Sequence, residues 1–340
     1  MRIVVAPDKF RGTATAAEAA AALAGPLRAS GHTVVEVPLA DGGEGTLEAL
    51  GGANRTTTVS GPLGDQVEAA WRLSGRRAVI EMAQASGLAL VGGAEGNDAV
   101  SASTFGTGEL IAAALDQGAN DIVVGVGGSA TTDGGLGALR ALYPVHRLRG
   151  VRLTVACDVR IGFVEAAELF APQKGATPAQ VELLQRRLER LVQVYLEEYG
   201  FDVSGLEYAG AAGGLAGGLA CVGADLDSGF DLVAERVGLE EAVEAADLVV
   251  TGEGFLDAES FEGKVVGGVA EMAGHLGVPV VAVVGEAFDG AAERIRAVSL
   301  TARVRRPSMG FCPGDRLASG VHADHEAGSR GRPRREDLRW

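Results

Sequence analysis

The sequence predicts an α/β protein built on mainly parallel sheets, and three observations carry that prediction. The chain has 340 residues, which is long for one domain and sufficient for two. Its N-terminal part alternates strand and helix signals, an order that favours a parallel sheet. Later strands are continuous apolar runs such as LVV (248–250) and VVAVV (280–284), which are typical of strands buried on both faces.

The first 50 residues predict two strand–helix pairs. Thr15 and Glu18 have the spacing of an N-terminal capping box, which marks the start of an Ala-rich helix. Loops follow both strands at their carboxyl ends, where parallel sheets place ligands. In order, the predicted elements are strand Ile3–Ala6, a helix from about 16 to 29, strand Val34–Val37 and a helix starting at Thr46.

Residues 54–91 predict antiparallel hairpins, because short β-rich stretches alternate with the glycine turns PLGD and SGR. Further on, Thr177-Pro178 predicts the start of a long amphipathic helix that ends near Tyr199, since proline is favoured at the first helical position. The other predicted elements are helices over 106–118, 135–142 and 263–277, a strand leading into 124–125, and strands over 152–158, 246–251 and 278–287.

The composition is that of an ordinary water-soluble globular protein, with 47% hydrophobic and 22% charged residues. The formal net charge is −15, although residues 302–340 hold nine arginines against five acids. This acidic balance disfavours nucleic-acid binding. No stretch has 18 uninterrupted apolar residues, and the cysteines and histidines lack disulfide-framework or zinc spacing. A reduced, cytoplasmic protein with neither nucleic-acid nor membrane partners is expected.

Five loops rich in glycine, acids and hydroxyls follow predicted strands. Because the carboxyl ends of parallel strands converge on one crevice, these loops are expected to meet. Glycine lets backbone N–H groups approach a phosphate, and carboxylates suit Mg²⁺. The set favours a phosphoryl-transfer site, and its members are APDKFRGT (6–13), PLADGGEGT (38–46), VGVGGSATTDGG (124–135), VACDV (155–159) and VTGEGFLD (250–257).

Single motifs are weaker. Gly125-x-Gly127-x-x-Ala130 has the form of a dinucleotide fingerprint, but no acid stands near 147–149, where that fingerprint needs one. The chain has neither a GxxxxGK[ST] phosphate loop nor a GxSxG nucleophile elbow. Asp133 is open to two interpretations, as the cap of the helix that follows it or as a contact to metal or substrate.

Long motifs in a fixed order make the chain resemble the bacterial class I glycerate kinases from about residue 1 to 300. The resemblance implies phosphorylation of D-glycerate by ATP with Mg²⁺, and 2-phosphoglycerate is the expected product. The motifs that carry it are MRIVVAPDKFRGTATAAEAA, VPLADGGEGT, IVVGVGGSATTDGG, VACDV, FAPQKGATP, AGAAGGLAGGL and ADLVVTGEGFLDAESFEGK.

The same resemblance implies two α/β domains, a Rossmann-like parallel-sheet domain and a second inserted α/β domain, with the active site in the cleft between them. On this sequence the first domain is expected over 1–60 plus 230–300 and the inserted domain over 61–229. Residues 301–340 lack apolar periodicity and predict a basic, poorly ordered tail. Glycerate and ATP are the expected partners, and a homodimer is one open arrangement.

Phosphoryl transfer depends on positioning and on neutralising charge, so charged residues within the motifs are the candidates. Asp41 and Asp158 end buried strands, and both are expected to be catalytic and to hold Mg²⁺. Lys174 and Lys264 are the expected catalytic cations. The expected substrate- and nucleotide-binding residues are Asp8, Lys9, Arg11, Gly42, Gly43, Glu44, Gly127, Gly128, Ser129, Thr131, Asp133, Gly252, Glu253 and Asp257.

The chain departs from the family pattern at three motif positions. It has Lys9 where the family has Ser, Arg11 where it has Lys, and Phe255 where it usually has Arg. The connection over 142–151 is shorter than usual, and the C-terminal tail replaces the expected last helices. Two alternatives therefore stay open beside glycerate: a kinase of another small hydroxy acid, and a catalytically impaired ligand-binding homologue.

Overall fold

A computed structural model describes residues 1–288 and 290–301, so all but the first residue of the predicted basic tail lies outside the described part of the chain. Within it, eleven strands form two sheets. In chain order they are β1 (Arg2–Pro7), β2 (Thr33–Glu36), β3 (Arg55–Ser60), β4 (Gln66–Ser74), β5 (Arg77–Glu81), β6 (Asp121–Gly125), β7 (Arg152–Cys157), β8 (Asp225–Ser228), β9 (Leu248–Leu256), β10 (Val280–Ala287) and β11 (Ala297–Ser299).

Helices alternate with most of these strands. The predicted capping box is present: the Glu18 N–H donates to Thr15 Oγ1 (3.2 Å), and the Thr15 N–H donates to Glu18 Oε2 (2.9 Å). Within the described residues the α-helices are α1 (Ala16–Ala29), α2 (Thr46–Ala49), α3 (Ala83–Ser86), α4 (Phe105–Asp116), α5 (Leu136–Ala141), α6 (Glu165–Phe170), α7 (Pro178–Tyr199), α8 (Ala211–Ala220), α9 (Gly229–Val237), α10 (Leu239–Glu244), α11 (Val265–His275) and α12 (Ala291–Arg294).

The first sheet has five strands, all parallel, in the order β11-β10-β9-β1-β2. Alternate residues of the inner strand β1 point to opposite faces. Ile3 packs near Ala20 of α1, whereas Val4 packs near Val269 of α11. Both faces are therefore covered by helices, as the continuous apolar runs predicted.

The second sheet has six strands in the order β3-β4-β5-β6-β7-β8 and is mixed. β3, β4 and β5 pair antiparallel, which confirms the predicted hairpins, and β5 to β8 pair in parallel. Its core contains the fully buried side chains of Trp71, Ile80, Leu110 and Ile122. The α/β prediction is thus correct, with one parallel and one mixed sheet.

The chain passes between the two sheets twice. The first sheet takes its strands from residues 2–36 and 248–299, and the second sheet from residues 55–228. We call residues 37–54 and 229–247 the first and second crossings. β3 was expected in the first domain, but it pairs with β4 in the second sheet, because the Gly61–Asp65 turn closes a hairpin (Gly61 N–H to Asp65 O, 2.6 Å).

Candidate active site

Loops from both sheets enclose a cavity of about 520 Å³. It lies at the carboxyl ends of β1, β2, β6 and β7, where ligands bind in parallel sheets. Eleven of the residues expected at the site line it: Lys9, Arg11, Asp41, Gly43, Glu44, Gly127, Gly128, Ser129, Asp158, Lys174 and Lys264. We call this space the central cavity.

The other expected residues do not line the central cavity: Asp8, Gly42, Thr131, Asp133, Gly252, Glu253 and Asp257. Some of them support the loops that do. The Asp8 N–H donates to the carbonyl oxygen of Gly252 (2.8 Å), which joins the ends of β1 and β9. Asp257 Oδ1 accepts from the Ser260 N–H (3.1 Å) and shapes the turn ahead of α11.

Glycines let the loop after β2 contact the second sheet through backbone alone. The Val126 N–H donates to the carbonyl oxygen of Gly42 (2.9 Å). A Cβ at Gly42 would lie 2.6 Å from the Ala156 carbonyl oxygen, and one at Gly127 would lie 2.4 Å from Gly43 Cα. Any side chain at these positions would push the two loops apart, so the glycines set the width of the central cavity.

Asp41 and Asp158 face the same stretch of bare backbone. A Cβ at Gly43 would lie 3.2 Å from Asp41 Oδ1 and 4.0 Å from Asp158 Oδ2. Burial raises the pKa of Asp158, and the nearby Asp41 charge raises it further. Two carboxylates that repel each other at the wall of a cavity provide a place for a cation.

Asp41 and Asp158 fit an ion such as Mg²⁺, which needs few protein ligands, better than a metal ion that takes all its ligands from protein side chains. The described residues contain no group of three or more His, Cys, Asp or Glu side chains that could hold a metal ion. Mg²⁺ typically takes only one or two protein carboxylates and completes its shell with water and substrate phosphates. Asp41 and Asp158 satisfy that requirement and lie beside the glycine loops.

The loops after β1 and β2 are tied together by a lysine. Lys9 Nζ donates to the carbonyl oxygen of Glu44 (2.8 Å) and lies 3.9 Å from Asp8 Oδ1. Burial raises the pKa of Asp8 to about 6; the Lys9 charge opposes this rise, and Asp41 adds to it. Lys9 therefore partly neutralises an acidic group at the edge of the central cavity.

Lys174 is a buried cation at the cavity wall, only 3% exposed. Its Nζ donates to the Thr131 carbonyl oxygen (2.7 Å), and no second acceptor among the described residues bonds to it. Burial lowers its pKa to about 8, whereas Asp133 and Asp158 favour its charged form. Its remaining N–H groups are available to an anion. The Asn97 amide supports it by donating to the Lys174 carbonyl oxygen (2.8 Å).

Asp133 accepts hydrogen bonds at the starts of two helices, which favours the first of its two interpretations. Its carboxylate accepts from the N–H group of Thr104 (2.8 Å), just before α4, and from those of Gly135 (3.1 Å) and Gly137 (3.2 Å), before and within α5. The Thr104 hydroxyl donates to it as well (2.9 Å). These bonds hold the carboxylate against α4 and α5 and away from the central cavity.

Glu253 lies near the end of β9, and Lys264 immediately precedes α11. Lys264 Nζ lies 3.2 Å from Glu259 Oε2 and lines the central cavity. Burial raises the pKa of Glu253 to about 7, opposed by a hydrogen bond from Ser260, and its Oε1 has no partner among the described residues. Glu253 thus lies behind the cavity wall.

Glu81 and Asn97 hold site residues in place, yet no sequence pattern marks either of them. Glu81 Oε1 accepts from the N–H groups of Gly45 (2.9 Å) and Leu47 (2.8 Å), so one buried oxygen anchors the end of the acidic loop. Burial raises the pKa of Glu81, and these two hydrogen bonds lower it. Glu81 follows a plain hairpin strand, so only its distant partners reveal its role.

A second cavity of about 690 Å³ adjoins the first and shares Lys9, Arg11 and Glu44 with it. We call it the outer cavity; Thr13 of the loop before α1 and Gln84 of α3 also line it. Phe255, the departure that left another acceptor open, lines neither cavity. Its ring packs on Phe288 with 6.0 Å between centroids.

The loops of the two sheets bring two carboxylates, a buried lysine and bare glycine backbone to one cavity, an arrangement suited to phosphoryl transfer. The sequence comparisons give the family. The model of the glycerate kinase family matches residues 3–144 and 143–306, and the chain belongs to that family. The two matched segments meet at the Tyr143-Pro144 connection, the region expected to be short.

The chain is similar to glycerate kinase from Halalkalibacterium halodurans (41% identity over 85% of this chain and 86% of the relative). It is also similar to glycerate 2-kinase from Escherichia coli (40% identity, 85% and 86% coverage). A crystal structure from Salmonella typhimurium LT2, provisionally described as glycerate kinase 2, superposes with a TM-score of 0.73 at 37% identity and covers 84% of this chain and 86% of that one.

In the part of the chain that the structure describes, no helix combines the length and apolar character needed to cross a bilayer.

Proposed function

We propose that this protein transfers the γ-phosphoryl group of ATP to D-glycerate and forms 2-phosphoglycerate. The observation that carries the proposal is the Asp41–Asp158 pair facing the bare backbone at Gly43, with Lys174 on the same cavity. Family membership supports the kinase class, and one relative is named a glycerate 2-kinase. The active site is proposed to lie in the cleft between a discontinuous first domain and an inserted second one.

Asp41 and Asp158 would hold Mg²⁺, which when bound draws charge from the phosphate oxygens during transfer. The Gly43 N–H donates to Asp41 Oδ1 (3.2 Å) and fixes the direction of that carboxylate. The Cβ-free backbone at Gly43 and Gly127 leaves room for an oxyanion beside both acids. Pairing of like charges here costs stability in the free protein, and a bound cation relieves it.

Lys174, Lys9 and Arg11 provide the positive charge that an anionic substrate pair requires. Lys174 is desolvated, so its attraction to a carboxylate or phosphate is screened little by water. Arg11 is exposed at the junction of the two cavities. We assign Lys174 to the reacting groups in the central cavity, and Arg11 and Lys9 to the polyphosphate.

Each of the two cavities is assigned to one substrate, the outer cavity to ATP and the central cavity to glycerate. The outer cavity is open and large enough for a nucleoside, whereas the central cavity carries the paired acids. Because they share Lys9, Arg11 and Glu44, a triphosphate lying across these residues would bring its terminal phosphate to the glycerate. All these residues belong to one chain, and the proposal does not require the homodimer that the sequence left open. A cytoplasmic location remains part of the proposal.

The proposal is tested by following ADP release with D-glycerate, ATP and Mg²⁺, and by assigning the phosphorylated carbon with ³¹P NMR. Turnover with phosphate on carbon 2 is the expected result. Absence of ADP release across a panel of small hydroxy acids would exclude the kinase. Higher kcat/KM for another hydroxy acid would identify that acid as the acceptor, and calorimetric binding of ATP without turnover would indicate an impaired homologue.

A further inference from the structure

A third cavity, of about 280 Å³, is lined by three arginines and no acidic side chain. The arginines are Arg72 of β4, Arg77 of β5 and Arg236 of α9, and we call the space the arginine pocket. Its other walls are mainly apolar. It shares no lining residue with the central or the outer cavity, so the proposed reaction does not account for its charge.

One carboxylate next to the pocket receives three guanidinium groups. Asp121 Oδ2 lies 2.9 Å from Arg77 Nε, 3.0 Å from Arg152 Nη2 and 3.0 Å from Arg236 Nη1. Burial raises the pKa of Asp121, but the hydrogen bonds from these arginines outweigh burial and hold the pKa below its usual range. Asp121 is therefore ionised, and it offsets only one of the positive charges.

Arg72 adds a further charge, and no carboxylate among the described residues pairs with it. Its Nη1 donates to the carbonyl oxygens of Gly51 (2.7 Å) and Gly52 (2.9 Å), which are neutral. Three guanidinium groups contact the Asp121 carboxylate, and Arg72 lines the same pocket, in a chain whose net charge is −15. Arg236 is the most buried of those three, with 11% of its side chain exposed, so a further counter-charge at the pocket would stabilise the group.

Donors remain unused at the pocket. Arg77 bonds to Asp121 only through Nε, and its two terminal nitrogens donate to no acceptor among the described residues. A guanidinium group presents its N–H donors in a planar fork that matches the oxygens of carboxylate and phosphate groups. Arg77 and Arg72 can therefore donate hydrogen bonds to a second oxyanion, as Arg77 already does to the Asp121 carboxylate.

We propose that the arginine pocket binds a compact dianionic oxyanion, either inorganic phosphate or a small phosphate monoester. Its volume lies at the lower end of ligand pockets and suits an anion of this size better than a nucleotide. The excess positive charge, the free Arg77 nitrogens and the absence of acids in the lining carry this inference. It does not rest on the proposed kinase activity.

The position of the pocket gives its occupant a structural effect. Gly51 belongs to the first crossing and Arg236 to the second, and both line the pocket beside strands of the second sheet. A bound oxyanion would hold both crossings to that sheet. Because it binds the folded chain alone, it would also raise the melting temperature.

The test is calorimetric titration of the full chain with inorganic phosphate and, separately, glycerol 3-phosphate, at constant ionic strength. Titrations are done in an Arg11→Gln background, which weakens anion binding in the central and outer cavities. Arg77→Gln and Arg72→Gln are each expected to weaken binding at least tenfold. Arg28→Gln is the matched control, since Arg28 is as exposed as Arg77 (50% and 52%) and pairs with one acid, Glu36.

Equal affinity in the Arg77→Gln and Arg28→Gln proteins would overturn the proposal, as would no binding of either probe at millimolar concentration. Should Arg77→Gln fail to fold, Arg72→Gln decides, because within the described part of the chain Arg72 bonds only to backbone carbonyl oxygens. Tighter binding of glycerol 3-phosphate than of phosphate would identify a monoester as the ligand, and the reverse order would identify phosphate.

Discussion

Asp41 and Asp158 come from different sheets, yet both carboxylates face the single backbone position Gly43, at 3.2 Å and 4.0 Å from where its Cβ would stand. Asp41 follows β2 of the parallel sheet, and Asp158 follows β7 of the mixed sheet. The proposed metal site therefore forms only when the loops of the two sheets are in contact. Activity should depend on each acid and on the glycine between them.

Asp41→Asn and Asp158→Asn are each expected to lower kcat at least tenfold, about 1.4 kcal/mol of activation free energy. An amide removes the charge that would hold Mg²⁺ but keeps the shape of the side chain. Steady-state rates at several Mg²⁺ concentrations measure the effect. Asp116→Asn is the control, since Asp116 is exposed and, among the described residues, pairs with Arg147 alone. A variant with normal kcat would remove that acid from the site.

Gly43→Ala is expected to lower kcat/KM at least tenfold with little change in the free energy of unfolding. Its new Cβ would enter the space between Asp41 and Asp158, and its backbone is not in the left-handed region. Gly25→Ala in α1 is the control, because its Cβ would meet open space. Urea unfolding and rates are measured on both proteins. A normal rate for Gly43→Ala would show that no ligand occupies this space.

Lys174→Met is expected to lower kcat/KM and to change how stability depends on pH. The folded pKa of about 8 lies below the unfolded value of 10.5, so the unfolded chain binds more protons between these values. Wild-type stability should therefore rise from pH 8 to 10.5 by about 3 kcal/mol relative to Lys174→Met. Urea unfolding of both proteins across this range measures the difference. Parallel curves would show that Lys174 is not a desolvated cation.

Asp133→Asn is expected to lower the free energy of unfolding by about 1–3 kcal/mol, because the NH2 of the new amide would face backbone N–H donors. The folded protein should keep its KM for glycerate and ATP. Chemical denaturation and kinetics are compared at a temperature where the variant is fully folded. Normal stability with a large rise in either KM would instead support a ligand contact.

Glu81→Ala is expected to lower kcat by loosening the loop that carries Asp41 and Glu44, since the Gly45 and Leu47 N–H groups lose their acceptor. Glu81→Gln keeps an acceptor oxygen and should restore most of the rate. Recovery by Gln separates a positioning role from a need for charge. Equal loss in both variants would show that the carboxylate charge itself is required.

Local signals made some of the structure predictable. The limits of α1 and α7 follow from capping residues and from Pro178, which act within a few residues of the helix start. The loops that line the central cavity were predictable because glycine and acids directly after buried strands mark a common edge.

Other features depend on contacts between distant parts of the chain. Glu81 bonds to residues 34 and 36 positions earlier, and Asn97 bonds to Lys174, 77 positions later. No sequence pattern near either residue encodes those partners. Asp133 illustrates a different limit, because a helix cap and a ligand contact call for the same carboxylate in the same place. The glycine-containing sequence at Gly61 is likewise compatible with a domain boundary and with the hairpin turn that it forms.

The hydrogen bond from Val126 N–H to the Gly42 carbonyl oxygen has a mechanical consequence. It joins the loops of the two sheets by backbone alone, and the tight approach of Gly42 to Ala156 leaves them no room to slide. Because this contact holds the two loops together at the bottom of the cleft, the cleft can change width only if the two sheets rotate about the contact. Closure of the cleft around substrate would thus be a rotation of the two sheets, and Asp41, which lies next to the axis of rotation, would hardly move.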